Sequence, residues 1–179
     1  MIYSVTASNY RSFLKIAGAI GKAAKATSHR MDIPQSAFQE IVPGLFLSGA
    51  DPAMKLFKLR AHRIEAIVNC TEPHEVQNVF LDRGIEYLRV PVDDEPSEPI
   101  NAYFDDSYFF ILHHLIEKKN VLVHCQAGIS RSPTIVIYFL MRHLQWSREY
   151  ALQRVREKRS CVSPNHGFWK QLDLPLLNK

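Results

Sequence analysis

The chain has 179 residues, 46% of them hydrophobic, and 22 Lys and Arg stand against 18 Asp and Glu for a net charge of +4. That length suffices for one domain with a sizeable core, and so small and dispersed a charge excess gives no reason to expect a nucleic-acid partner. The longest apolar runs, 109–112 and 135–141, fall far short of the roughly 20 residues that span a bilayer, so no transmembrane segment is expected.

Residues 1–31 stand apart. They carry Arg11, Lys15, Lys22, Lys25 and Arg30 but no acidic residue, and Tyr10, Phe13, Leu14, Ala17 and Ile20 share one face of a helix. A basic amphipathic extension results, open to packing on a second subunit as a homodimer, on its own domain, or on an anionic membrane surface, and open also to reading as a mitochondrial presequence. Position 2 is not Gly, so the N-myristoylation pattern is missing. Residues 32–179 form the second unit, a single α/β domain.

Within it, Leu45 to Ser48 reads as a short strand closed by Gly49, and Asp51-Pro52 opens a helix running to about Arg60. Ile64 to Asn69 is a buried strand. Residues 75–83 have helical spacing ending at Gly84, and 85–90 alternate as a strand before Pro91. After a Pro-rich acidic loop, residues 101–118 place Tyr103, Phe104, Tyr108, Ile111, Leu112 and Leu115 at helical intervals. Val121 to Val123 is the central strand. Helices are expected at about 131–143, 147–158 and 166–174, with Ser147 as an N-cap. Alternating βα units imply a mainly parallel central sheet flanked by helices on both faces.

The central strand leads into the chemistry. Residues 121–132 read Val-Leu-Val-His-Cys-Gln-Ala-Gly-Ile-Ser-Arg-Ser, so a strand delivers Cys125 into a short loop closed by Arg131 at the start of a helix. Attack on phosphorus needs a thiolate, and a free thiol with a pKa of about 8.5 is mostly protonated at neutral pH unless its surroundings favour the charge. Backbone amides at a helix N-terminus favour it, and they also cradle a phosphate dianion. The phosphate-binding set is therefore Gln126, Ala127, Gly128, Ile129, Ser130 and Arg131, with Arg131 supplying a planar fork and Gly128 the tight turn. Ser132 is placed to hydrogen-bond the sulfur as it departs, and His124 to orient the loop from the strand end.

His-Cys-x5-Arg-Ser resembles the signature of cysteine-based protein tyrosine phosphatases, and Gln-Ala-Gly-Ile-Ser-Arg-Ser is similar to the dual-specificity branch. The resemblance extends through Tyr138-Phe-Leu-Met141 and 155–165, covering roughly residues 38–175. The segment 103–106 and the short extension are similar to compact poxviral members. The resemblance implies the dual-specificity phosphatase fold and hydrolysis of phosphotyrosine, phosphoserine and phosphothreonine in proteins through a phosphocysteine intermediate. Other readings are a phosphoinositide or RNA phosphatase on the same scaffold, or a phosphoprotein-binding module. Lipid-directed relatives often carry lysines in the loop, whereas Gln126, Ala127, Ile129 and Ser130 are uncharged. Retention of both Cys125 and Arg131 favours an enzyme over a binding module.

The departing oxygen needs a proton, and the acidic candidates are Asp93, Asp94 and Glu95. The resemblance implies Asp94, three residues after Pro91. It also implies that Asn165 supports the phosphate loop. Cys70, at the end of a strand parallel to the catalytic one, is within reach of a redox disulfide with Cys125, though burial as a small apolar residue is the plainer reading. Three cysteines, Cys70, Cys125 and Cys161, odd in number and widely spaced, argue against a disulfide framework and for a reducing compartment, expected to be cytoplasmic with nuclear location or mitochondrial targeting left open. The histidines show no metal-ligand spacing, since His113 and His114 are adjacent on a helix and point apart. No metal and no cofactor are expected.

Overall fold

A computed structural model describes residues 37–173, so the extension over 1–31 lies outside the described residues. The described chain holds strands β1 (Gln39–Val42), β2 (Leu45–Ser48), β3 (Ile64–Asn69), β4 (Glu86–Arg89) and β5 (Asn120–His124). They form one sheet in the order β1-β2-β5-β3-β4, with β1 antiparallel to β2 and the other neighbours parallel. The helices are α1 (Ala50–Ala53), α2 (Leu56–Ala61), α3 (Phe104–Ile116), α4 (Arg131–Leu144), α5 (Arg148–Lys158) and α6 (His166–Gln171). The mainly parallel α/β architecture expected from the alternation is the one observed.

Alternation along the central strands builds two cores. Leu45, Leu47, Val121 and Val123 face one side, with α3, α4 and α5 contributing Ile111, Ile137 and Val155. Phe46, Ile67 and Leu122 face the other, where α2 buries Leu59. Successive strand residues point to opposite faces, so strands apolar on both sides must be covered on both. No helix among the described residues is long and apolar enough to cross a membrane.

Three expectations are corrected. The helix over 51–60 is broken, because Lys55 is extended (φ −115°, ψ 101°) and starts a second helix that carries Leu59 into the smaller core. The helix over 75–83 forms only as a 3-10 turn at Leu81–Arg83. The Val76 carbonyl, which in a helix would accept from the amide four residues on, instead accepts from Asn69 Nδ2 (3.1 Å) and Arg89 Nη2 (3.0 Å), and Phe80 turns left-handed at φ 66°. The helix expected to reach 118 stops at Ile116, since Lys118 is left-handed at φ 62°. The antiparallel edge strand β1 was not foreseen. Ser147 does cap α5, its Oγ accepting from the Tyr150 amide at 3.2 Å.

Parallel strands end together, and this positions the site. Ser48, His124 and Asn69 pair across β2, β5 and β3 at their C-terminal ends. The carboxyl edge of a parallel sheet is where open α/β folds bind ligands. Cys125 is the next residue beyond that edge.

Candidate active site

Cys125 is 2% exposed and follows β5 directly into the loop that ends at the N-terminus of α4. Its Sγ accepts hydrogen bonds from the Gly128 amide (3.2 Å) and from Ser132 Oγ (3.2 Å). Both donors stabilise a thiolate, and the helix terminus behind them adds a field of the same sign.

The loop is shaped from outside. Gln126 C=O accepts from the Ala50 amide (3.0 Å), Ala127 C=O from Arg159 Nη2 (2.9 Å) and Gly128 C=O from Arg159 Nε (2.8 Å). Ile129 C=O accepts from the Ser163 amide (2.8 Å), and Ser130 C=O from the Thr134 amide (3.1 Å) and Thr134 Oγ1 (2.8 Å). In a planar trans peptide the N–H points opposite to the C=O before it. Pinning these carbonyls turns the amides of 127–131 away from their anchors, and the Gly128 amide reaches Cys125 Sγ. Gly128 is required twice over: its φ is +67°, and a Cβ there would lie 2.5 Å from the Ser48 carbonyl oxygen.

Arg131 is the first residue of α4 and 5% exposed. Its Nη1 and Nη2 donate to Glu75 Oε2 (2.5 Å) and Oε1 (3.1 Å), and Nη1 also donates to the Val92 carbonyl (3.1 Å). Burial works against the guanidinium's charge, but the Glu75 bond, with the charges of Cys125, Glu75 and Asp94, outweighs it and holds the pKa above its ordinary value. The same hydrogen bond draws the Glu75 carboxyl below the usual range.

Asp94 sits over the loop. Its Oδ1 accepts from Ser130 Oγ (2.6 Å) and Asn165 Nδ2 (2.9 Å), and Ser130 Oγ in turn accepts from the Asn165 amide (3.0 Å). Asn165 also caps α6, Oδ1 accepting from the Phe168 amide at 2.9 Å. It thus joins the acidic loop to the phosphate loop through Ser130. His124, 2% exposed, has Nδ1 3.4 Å from the Cys125 carbonyl oxygen. Burial lowers its pKa to about 4 against the opposing effect of that carbonyl, so the ring is neutral at pH 7.

The structure brings together all the residues that the motif singled out. Gln126 and Ala127 keep exposed side chains and contribute backbone to the loop, while the Asp93 and Glu95 side chains make none of the bonds that Asp94 makes to Ser130 and Asn165. Sequence reasoning missed Glu75, whose partner lies 56 residues away, and Arg159, which at 3% exposure is buried under the loop and also donates to Gln39 Oε1 (2.6 Å). It missed Gly167 as well, which packs against the Pro96 backbone. No local signal marks Arg159: the carbonyls it holds lie 31 and 32 residues away in the chain.

Comparison with known proteins assigns the family. Residues 45–174 match the family described as dual specificity phosphatase, catalytic domain. Dual specificity protein phosphatase 22 of Mus musculus is 35% identical over 137 residues, which cover 76% of this chain and 72% of that protein. Protein phosphatase Slingshot of Drosophila melanogaster is 34% identical over 144 residues, covering 80% of this chain but only 13% of that much longer protein. Among solved structures, the human tyrosine phosphatase-like serine/threonine/tyrosine-interacting protein superposes with a TM-score of 0.72 at 37% identity, covering 75% of this chain and 92% of that one. With Cys125, Arg131 and the loop between them assembled at the carboxyl edge of the sheet, the chain belongs to the dual-specificity phosphatase family of cysteine-based protein phosphatases.

Proposed function

We propose that the domain hydrolyses phosphotyrosine and phosphoserine or phosphothreonine in proteins by two displacements at phosphorus. Cys125 thiolate attacks the phosphorus as the ester P–O bond breaks, and Asp94 gives its proton to the leaving oxygen. Arg131 and the amides of 127–131 hold the equatorial oxygens, which carry the charge in the transition state. Water then attacks the phosphocysteine, Asp94 takes a proton from it, and sulfur leaves as thiolate, eased by the Ser132 hydrogen bond. The observation that carries this reading is the Sγ of Cys125 under hydrogen bonds from Gly128 and Ser132, inside a loop whose carbonyls all face away.

The test is Cys125→Ser in the full chain. Turnover of an aryl phosphate and of phosphotyrosyl and phosphothreonyl peptides should vanish while the phosphopeptides still bind. Turnover near that of the unmodified protein would sink the mechanism. All three cysteines are free, which supports a reducing, cytoplasmic setting. For the acid-free segment 1–31 we infer a homodimer contact from its amphipathic pattern: its removal should turn a dimer into a monomer by light scattering, and a monomeric full-length chain would refute it.

A further inference from the structure

A guanidinium offers an end-on fork, Nη1 with Nη2, and a side-on fork, Nε with Nη2. In Arg131 the end-on fork is taken by the two carboxylate oxygens of Glu75, and the remaining Nη1 hydrogen has the Val92 carbonyl. The Nε–H is buried and has no hydrogen-bond partner among the described residues. A buried donor left so is an invitation to a ligand, and the only fork still open is the side-on one.

We propose that Glu75 is the positioning residue of the phosphate site: by holding the end-on fork it aims the side-on fork of Arg131 at the phosphoryl oxygens. This rests on the reading of Arg131 as a phosphate ligand. Glu75 is itself held before any substrate arrives. Its amide donates to the Glu72 carbonyl (3.1 Å), and the Glu72 amide donates to Glu75 Oε2 (3.1 Å). The next residue, Val76, has its carbonyl bound by Asn69 and Arg89, and Arg89 also ties the Thr71 carbonyl (2.8 Å) and Asn78 Oδ1 (2.7 Å). The segment that failed to become a helix is thus a bracket, fixed at the ends of β3 and β4, that presents one carboxylate to Arg131.

The bracket geometry separates this role from its opposite, in which Glu75 competes with phosphate for the arginine. A competitor would have to leave when substrate binds, whereas a carboxylate on the end-on fork and a phosphate on the side-on fork occupy the guanidinium together. The two roles predict opposite signs. Positioning makes Glu75 help oxyanion binding; competition makes it hinder.

The experiment uses the full chain with inorganic phosphate as competitive inhibitor of aryl phosphate turnover, comparing Glu75→Gln, Glu75→Asp, Arg131→Lys and the double variant Glu75→Gln/Arg131→Lys. Losing a charge-assisted bond to the arginine should weaken phosphate inhibition by about tenfold or more in Glu75→Gln and lower kcat/KM in parallel. Glu75→Asp keeps the charge but shortens the reach, so its loss should be intermediate. Lysine has no fork to aim. In the Arg131→Lys background the Glu75→Gln change should therefore cost about twofold or less. Unchanged or tighter phosphate inhibition in Glu75→Gln overturns the proposal, and so does an equal cost in both backgrounds. If Arg131→Lys alone leaves phosphate inhibition intact, the reading of Arg131 is what fails.

Discussion

Gly167 offers a way to move Asp94, the proposed acid, without touching it. The residue lies in the first turn of α6 against the acidic loop, and a Cβ there would sit 1.9 Å from the Pro96 oxygen, 2.5 Å from its carbonyl carbon and 2.6 Å from its Cα. Since real Cβ contacts essentially never fall below 3.0 Å, Gly167→Ala must part the two segments by about 1.1 Å or more. The helix is the fixed side: Phe168, the next residue, is 0% exposed in the main core. The loop therefore yields, and Asp94, two residues before Pro96, loses hydrogen bonds of 2.6 and 2.9 Å to Ser130 and Asn165. A misplacement of this size costs about 10²-fold in rate, and a general acid is worth about 10² to 10⁴-fold. The overpacking itself should destabilise by about 1–3 kcal/mol. The assay is kcat/KM on phenyl phosphate, whose leaving group needs a proton, beside 4-nitrophenyl phosphate, whose leaving group hardly does. We expect a loss of about 10²-fold on the first and a few-fold on the second, with inhibition by inorganic phosphate unchanged. Equal losses on both substrates, or none on either, would refute the reasoning.

Asp94→Asn should likewise slow poor leaving groups by roughly 10²-fold or more, with Asp93→Asn much milder; the reverse ranking moves the acid to Asp93. Acid should weaken the fold before carboxylates titrate, because burial lowers the pKa of His124 and of His143 to about 4 while the unfolded chain protonates its histidines near 6.5. The unfolded state then binds more protons between those values, so stability falls with falling pH, by about 2 kcal/mol per histidine at pH 5. A urea midpoint that does not move between pH 7 and 5 would reject this. Peroxide should inactivate reversibly: Cys125 thiolate is oxidised to sulfenic acid, and the Cys70 thiol condenses with it, releasing water and forming a disulfide. The two residues follow the paired ends of β3 and β5, with the Cys70 amide donating to the His124 carbonyl at 2.7 Å. Burial, reinforced by Cys125, keeps Cys70 a thiol by raising its pKa well above the ordinary range. Mass spectrometry should find the 70–125 cross-link, and if Cys70→Ser recovers with dithiothreitol as fully as the parent protein, the disulfide is not protective.

The phosphate loop was legible because its chemistry is local: Cys125, Gly128, Arg131 and Ser132 fall within eight residues, between a strand and a helix that periodicity reveals. The central strands were legible for the same reason, their apolar runs being long enough to need cover on both faces. What escaped were side chains acting across the fold. The spacing of 75–83 suits a helix, yet Asn69 and Arg89 compete for the Val76 carbonyl and win, and only then is Glu75 free to reach Arg131. Arg159 drew no reading from its local sequence, because what occupies its donors are two loop carbonyls and Gln39, all remote in the chain. β1 has only four residues and an exposed Glu40, too short a pattern to rise above its surroundings. Asp94 needed the family resemblance, since three acidic residues in a row offer no internal reason to choose the middle one.

The outward anchoring of the loop carbonyls divides the site into two inheritances. In the proposed mechanism phosphate is read by peptide groups, which every amino acid possesses, so the exposed side chains of Gln126 and Ala127 are under no obligation to the chemistry. Such positions can drift or be selected to suit new phosphoproteins while the nucleophile's cradle stays as it is. The anchors have no such liberty: an exchange at Arg159 would release two carbonyls at once and let the amides turn away from the sulfur. Under that mechanism, substrate preference and the nucleophile's cradle rest on separate residues, and the anchors of the cradle are ones that never touch the substrate.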